Sequence, residues 1–565
     1  MRYWRLLALL RDELDVGQTW VVSLDTVAEK LACTRRNAQM LIKRLVSEGW
    51  IQWFPGVGRG NLPTLMLLKP TDAVVTQQAV ALLERNQVEQ ALTLMPAHAR
   101  EGFLADYLAG FRSAKRADTR DVLRIPFYRG IHDLDVVQLS RRTELHLGSY
   151  LYAGLLSKNE QTGDIQGNLA IHWEQQGNDW LFTLRKGLMF HDGTPLTSQS
   201  VREHFERLST SDSCNRQLFD CIAGVEVLTP LRFRMIAKMT PGFIPTLLTQ
   251  KAAGIAKQAG DGRIIGSGAF MLDEQTEWLT RLVAFDHYHG CRPWLDAVEI
   301  WNIGDQAMDF DMNSDVVHPW LVPGRTQQFS RLENWEKGCE YALLNENRTR
   351  WMAVAKHRRR LAAFIRQLPL PDCLQPDNYR YAEGMLQAEL HPAGLSEIVD
   401  LKSLPQPERP LNVVTYQLTE HIALAEQLTH ALNNAGIPAS CCIETFPDFN
   451  RMARLSQADI MISGEVFGED PELDWMEWLK ANTALSACLS ADTQSQLMRK
   501  IETVFSHSCR EERVAQFEAI ERWLVALGMY QPLWQNRQQL NVRSHLNGVS
   551  LLANGWIDFS RVVFS

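Results

Sequence analysis

The sequence predicts a multidomain chain: a small, mostly helical winged helix-turn-helix head, a helical connector, and a large α/β body. Three observations carry this prediction. Two short amphipathic helices within 23–47 are followed by a glycine-rich turn between two apolar strands. From about residue 121 onward, strands alternate with helices, which is the pattern of an α/β fold. A chain of 565 residues is also too long for one core and should divide into about three or four compact units.

In the head, Ser23 can cap a helix in which Leu24, Val27, Ala28 and Leu31 recur at helical spacing. A short turn at Ala32-Cys33 leads to Thr34, which can cap a second helix with an apolar stripe of Ala38, Leu41, Ile42, Leu45 and Val46. Opposite that stripe lie Arg36, Met40, Lys43 and Ser47, flanked by Asn37, Gln39 and Arg44, with Arg35 at the N-terminal end. Recognition helices touch base edges with that end. Arg and Gln form paired hydrogen bonds to purine edges, and a lysine such as Lys43 suits a phosphate. Gly49 ends the helix, Trp50–Phe54 has strand character, Pro55–Asn61 is a turn, and Leu65–Leu68 makes the return strand. The result is a two-stranded wing with Arg59 at its tip, placed to enter a minor groove. Candidate contacts to double-stranded DNA are therefore Thr34, Arg35, Arg36, Asn37, Gln39, Lys43 and Arg59.

Two other readings of the head are set aside. Gly56, Gly58 and Gly60 lie between strands with no helix following, unlike a phosphate loop. Trp50, Trp53 and Phe54 sit where a wing meets its core rather than on a stacking platform for single strands. Charge agrees with a polyanion reader confined to the N-terminus. Residues 1–70 hold ten Lys/Arg against six Asp/Glu, a net of +4, while the remainder holds 48 against 60, a net of −12.

Composition is that of a soluble globular protein, 45% hydrophobic and 22% charged. No apolar run approaches the roughly 18 residues of a membrane span. The early run Leu6–Leu10 is followed at once by Arg11, Asp12 and Glu13, too short for a secretory core; the expected compartment is the cytoplasm, with no membrane partner. The ten cysteines are scattered and include no Cys-x-x-Cys pair, so they read as small buried hydrophobes, with neither metal nor cofactor expected.

The connector, 71–118, is helix-rich. Ala79, Val80, Leu82 and Leu83, then Val88, Ala91, Leu92 and Leu94, give amphipathic helices, with Pro96 as a breaker. Phe103, Leu104, Tyr107, Leu108 and Phe111 mark another helix, and the polar run 113–118 reads as the domain joint. These helices are a spacer packed on one domain, a dimerisation element, or a route for strain between body and head.

Within the body, Asn168–Glu174 matches an "LAxxW(E)" turn, and Trp180–Thr197 matches "LRxGxxFHDG" with a "PLT" helix entry. Gly266–Phe270 stands in the place of "GTGPY", and Phe285–Asp296 in that of "NxxY…P…LD". In these motifs the body resembles the family 5 solute-binding proteins, the peptide- and nickel-binding class of transport receptors. The resemblance spans nearly all of 122–565 and implies a two-lobed, periplasmic-binding-protein-like fold of type II. The expected division is a winged helix at 1–70, a connector at 71–118 and a solute-binding-like body at 119–565. Lobe I would take about 119–335 plus 536–565, and lobe II about 336–535.

None of these motifs points to catalysis. His191-Asp192 sits in an Asp-Gly turn, and Ser267 between two glycines is not a nucleophile elbow. No constellation of nucleophile, base or metal ligands is present, so no enzyme activity is expected.

The whole combination resembles the SgrR family of bacterial transcription regulators. The shared segments are Cys33–Arg36, Glu48–Trp50, the Gly58-Arg59-Gly60 wing, Arg141-Arg142-x-Glu144 and Gly555–Phe559. Asn61 departs from the pattern, since family members carry Lys after the wing. The resemblance implies regulation of nearby transport genes or of a small RNA.

A ligand of a two-lobed binder lies in the cleft between the lobes. Tyr128-Arg129 follows the first body strand, and Arg141-Arg142 follows soon after. An arginine there can clamp a phosphate or carboxylate, while one of the adjacent pair is expected to form a structural ion pair with Glu144. The acidic segment Glu465–Glu472 lies where peptide binders present carboxylates to a peptide amine, which adds Asp470, with Trp475 and Trp478 as cleft walls or core. The expected function is a cytoplasmic, ligand-responsive DNA-binding regulator sensing a sugar phosphate, peptide or related metabolite. The rival is a transport component or peptide chaperone whose head only mediates protein contacts. A homo-oligomer is left open, since regulators often pair on palindromes and no dimer seam is evident in the sequence.

Overall fold

The computed structural model describes residues 1–56, 58, 61–110, 120–159, 162–238, 241–304, 316–317, 329–374, 376–389, 399–445, 448–507, 509–543 and 546–564. The head runs α1 (Arg2–Glu13), β1 (Thr19–Val21), α2 (Leu24–Lys30), α3 (Arg35–Ser47), β2 (Ile51–Phe54) and β3 (Thr64–Leu67). Both expected caps form: Ser23 Oγ accepts from the Thr26 amide at 3.0 Å, and Thr34 Oγ1 from the Asn37 amide at 3.3 Å. Each satisfies an amide that a helix start leaves open. Ala38, Ile42 and Leu45 of α3 are buried, but Val46 is 42% exposed. At 100° per residue Val46 falls beyond the face that Leu45 closes, so the apolar stripe is narrower than its spacing predicts.

Two head elements have no counterpart in the sequence reading. The Leu6–Leu10 run lies within α1, whose Leu6, Leu7 and Leu10 are fully buried. The wing also gains a third strand, giving the order β1-β3-β2. β2 and β3 pair antiparallel from Ile51↔Leu67 to Phe54↔Thr64. Gly56 makes the turn possible, because a Cβ there would meet the Asn61 carbonyl oxygen at 2.1 Å.

The connector forms α4 (Asp72–Leu83), α5 (Val88–Leu92) and α6 (Arg100–Gly110). Its leucines join the head in one apolar cluster: Leu7, Leu10, Val75, Ala79, Leu82, Leu104 and Leu108 are all buried there. Thr71 Oγ1 donates to the Leu7 carbonyl at 3.1 Å, and Arg11 donates to the Leu94 carbonyl at 2.8 Å. Phe111 and the polar run 113–118 lie outside the described residues.

The body begins with β4 (Val122–Phe127), which pairs in parallel with Ala297–Asn302 at the edge of a four-stranded sheet. The order continues through Leu279–Ala284 to Phe270–Gln275. A second four-stranded sheet, antiparallel throughout, carries Ala170–Gln176 and Asp179–Leu184. Its motif turn has a structural role. Asp192 accepts from the Thr194 amide at 3.1 Å, the His191 ring lies 3.1 Å from the Gly268 carbonyl, and Ser267 donates to the Ile255 carbonyl at 2.7 Å. Beyond these lies a nine-stranded sheet centred on Lys337–Leu344, Ile460–Phe467 and the 14-residue strand Tyr530–Arg543. Phe329–Trp335 pairs antiparallel with that long strand, Trp335 opposite Arg537. The limits expected at 335/336 and 535/536 lie where this pairing ends, just past Trp335 and just before Arg537. The C-terminal segment then returns to the first half, where the Phe559 amide donates to Tyr150 Oη at 3.0 Å.

One sheet faces two cores. Leu123, Ile125, Phe127, Leu282, Val298 and Ile300 belong to the body core. Leu279 and Trp301, with neighbouring Trp278 and Ile303, are buried in the cluster of the head and connector. Strand alternation sorts the residues this way, since successive side chains point to opposite faces.

Candidate nucleic-acid interface and solute cleft

The cap at Thr34 starts α3 so that its stripe Arg36, Met40, Lys43 and Ser47 points to solvent, with Gln39 also exposed and Asn37 half-buried. The structure separates the basic residues of this helix into two groups. Arg35 is 3.0 Å from Asp25, with both side chains exposed. Arg44 is 2.7 Å from Glu48 and lies over the Tyr3 ring at 4.1 Å, while Tyr3 donates to Glu48. The hydrogen bonds from Tyr3 and then Arg44 hold the Glu48 carboxyl below its usual range, and burial lifts Tyr3 to about 12. Arg36 and Lys43, by contrast, make no ion pair among the described residues. Two cations and an amide therefore stand free on one face of a helix, which is the set needed to meet base edges and phosphates. Arg59 lies outside the described residues, although both strands that carry its turn are in place.

Behind this face the head is fixed to the body. Tyr107 of α6 packs on Trp301, ring centroids 6.1 Å apart. Across the four strands beneath it runs a ladder of alternating charge. Glu274 meets Arg281 at 2.8 Å, Arg281 meets Glu299 at 3.1 Å, and Glu299 meets Arg124 at 3.1 Å. Arg281 also donates to Asn86 of the connector at 3.0 Å, and the Trp301 indole donates to Glu299 at 3.1 Å. Arg281 and Glu299 are 7% and 6% exposed. A buried cation is tolerated only with its hydrogen-bonding capacity met, so this ladder specifies how the connector seats.

The candidate ligand residues are scattered more widely than their spacing suggests. Tyr128 is exposed at the end of β4. Arg129 takes the partner expected for Arg141 or Arg142: its guanidinium donates to both Glu144 oxygens, at 2.8 and 3.3 Å. Arg141 also acts on Glu144 through its charge. Glu144 opens α7 (Arg142–Leu151) and also accepts the His132 amide at 3.0 Å, which aims it back at Arg129. Burial, and then the neighbouring Arg129, lower Arg141 to about 10. Arg142 instead reaches the second half of the body, meeting Glu336 at 3.0 Å. Trp475 is fully buried against Phe467 and Trp478, so it forms core rather than a cleft wall. Asp470 is held by Lys158 from the first half and by Arg510 at 3.0 Å.

The structure adds residues that no local motif marks. Glu336 also accepts from Gln538 at 2.5 Å, and buried Glu340 accepts from His421 at 2.6 Å and from Asn536 at 3.1 Å. Gln250 and Lys480 reach across to Glu477 and Asp220, at 2.7 and 2.8 Å. Burial, with nearby Glu477, pushes Glu465 up to about 8. These partners lie more than 190 residues apart in several cases, and only their periodic strands signal them in sequence. The halves thus meet through polar and charged pairs around a carboxylate-rich seam and through apolar packing, with Phe243 on Phe505 at 4.2 Å between ring centroids.

Comparison with known proteins follows the same division. Residues 1–108 match the model described as sugar transport-related sRNA regulator N-term, and 164–334 that of bacterial extracellular solute-binding proteins, family 5 middle. The chain is 27% identical over 563 residues to the HTH-type transcriptional regulator SgrR of Yersinia pseudotuberculosis, covering 97% of this chain and 96% of that one. The chain is SgrR-like. It is also 25% identical over 558 residues to YbaE of Escherichia coli K12, covering 96% and 95% of the two chains. Its body shares its fold with the oligopeptide-binding protein AppA of Bacillus subtilis solved with a nonapeptide, at a TM-score of 0.63 and 15% identity, over 79% of this chain and all of that one. No described helix is long and apolar enough to cross a membrane.

Proposed function

We propose that this protein is a cytoplasmic transcription regulator that binds double-stranded DNA through α3 and the wing and takes a small solute between the two halves of its body. The observation that carries the reading is the free Arg36–Lys43 face of a capped helix, set on a connector that shares a core with the body. Thr34, Arg35, Arg36, Asn37, Gln39, Lys43 and Arg59 serve DNA binding. Arg36 and Lys43 make the direct contacts, and Arg35 must first leave Asp25. Tyr128, Arg142 and Asp470 border the solute site, with Arg129 and Arg141 behind them. Trp475 is not among the contacts. The regulator names of the full-length relatives and the solute-binding match of the body support both halves of this reading.

Closure of the halves on a solute shifts the population of heads able to engage an operator, and linkage makes DNA and solute change each other's affinity equally. The test is salt-dependent binding of the purified protein to the regions flanking its own gene, against random DNA. Selective binding with a steep salt slope is expected. Arg36→Ala should weaken operator binding by about 1–3 kcal/mol and relax specificity at one position. Weak binding, equal on both DNAs, would overturn the assignment.

A further inference from the structure

Met40 is 62% exposed, the most exposed large apolar side chain among the described residues. Exposed apolar side chains are common on protein surfaces, and what sets this one apart is its position. It stands one turn after Arg36 and three residues before Lys43, in the middle of the solvent stripe of α3, with Gln39 beside it. Leu45, Ile42 and Ala38 fill the core side of that helix, and Met40 is not part of the core. Its neighbours Arg35 and Arg44 are drawn aside by Asp25 and by Glu48 with Tyr3, which leaves the thioether unobstructed between Arg36 and Lys43.

On the proposed DNA-binding reading, the group opposite Met40 is a base edge in the major groove. The major groove offers one apolar group, the 5-methyl of thymine. A methionine is unbranched and polarizable, and fits such a group without strict geometry. We propose that Met40 is a specificity-determining residue that reads a thymine methyl in the operator, between a base contacted by Arg36 and a phosphate contacted by Lys43.

The experiment uses the full chain. Duplexes bound by the protein are enriched from a random pool, and each thymine of the selected site is then replaced by deoxyuridine, which pairs alike but lacks the methyl. Wild-type protein should bind one such substituted duplex about four-fold more weakly, the value of one buried methyl-sized group. Met40→Ala should bind the thymine and deoxyuridine duplexes equally, at the weaker level, with an unchanged salt slope. Because the side chain is exposed, the variant should fold normally, and its melting temperature checks this. If no replacement weakens wild-type binding, or if Met40→Ala still distinguishes the two duplexes, the Met40 assignment falls while DNA binding stands. If no duplex is enriched, both readings fall together.

Discussion

The two joints of this molecule are built from different materials. The head and connector meet the body through Trp278, Leu279, Trp301 and Ile303, all buried in one core, with the charge ladder sealed beneath Tyr107 and Asn86. The two halves of the body share apolar contact, with Phe243 on Phe505, and add a set of polar links across it: Arg142–Glu336, Lys158–Asp470, Lys480–Asp220 and Gln250–Glu477. Apolar burial is lost only when surfaces separate fully, at roughly 25 cal/mol per Å². Ion pairs open to water contribute little and exchange readily with it, and Arg142 at 46% and Asp220 at 51% exposure open two of these pairs to solvent. The first joint therefore behaves as a weld, and the charged part of the second as a seam that water can enter. In a sensor this places the motion in the body and hands the head a fixed reference, so what a solute rearranges is transmitted through one sheet.

Breaking the weld should have the largest effect. Arg281 holds Glu274, Glu299 and Asn86 at once while 7% exposed. Arg281→Ala leaves two carboxylates facing each other without their cation, and losing one partner of a buried pair typically costs about 3–5 kcal/mol. Urea denaturation should register that loss. Calorimetry should also show the head and connector melting apart from the body. A single transition at an unchanged temperature would mean that the ladder does not hold the connector.

The weld and the seam also differ in how far sequence reveals them. The helices, caps and wing strands of the head were legible because their signals are local: Ser23 and Thr34 precede periodic runs, and Gly49 ends the second. Of the four strands in the sheet beneath the connector, only the first, ahead of Tyr128, was legible as a strand. What stayed hidden was which face of them the connector covers. Leu279, Trp301 and Arg281 carry no local signal, and their role appears only once their partners, up to 195 positions away, are in place. In the cleft, adjacency misled. Glu144 lies near Arg141 and Arg142 in sequence, yet as the helix begins it turns toward Arg129, and Arg142 is released to reach Glu336. Trp475 looked available because the acidic residues around it are polar, but the helix Pro471–Ala481 turns it into the core.

Across the seam, pH should act more mildly than the loss of Arg281. Burial and Glu477 raise Glu465 to about 8. Burial opposes charge on His421, but Glu340 at 2.6 Å outweighs it and raises the imidazole pKa. A carboxyl with a raised folded-state pKa binds its proton more tightly when folded. Its stabilisation is present at low pH and lost as pH climbs from the usual carboxylate range to about 8. A raised histidine acts in the same sense: its contribution is full below its unfolded pKa and disappears as pH passes the folded one. Melting temperature should therefore fall between about pH 5 and pH 8, by about 2–4 °C for each kcal/mol in a domain this large. Glu465→Gln should flatten the slope. An equal slope in that variant would assign the dependence to other groups.

The smallest effect should come from Arg142, and it sharpens the contrast between the joints. Its side chain is 46% exposed while that of Glu336 is 9% exposed, so solvent screens the pair from one side only. Arg142→Ala should cost about 0–1 kcal/mol near pH 6, the range of an exposed pair, because Glu336 keeps Gln538 at 2.5 Å. Burial already raises the Glu336 pKa, and without the guanidinium it would rise further and the carboxyl would take a proton rather than sit charged. At higher pH that proton is harder to hold, so the penalty should grow with pH in urea titrations of the variant against wild type. A cost that is large and independent of pH in Arg142→Ala would place both joints in the same class and remove the distinction between weld and seam.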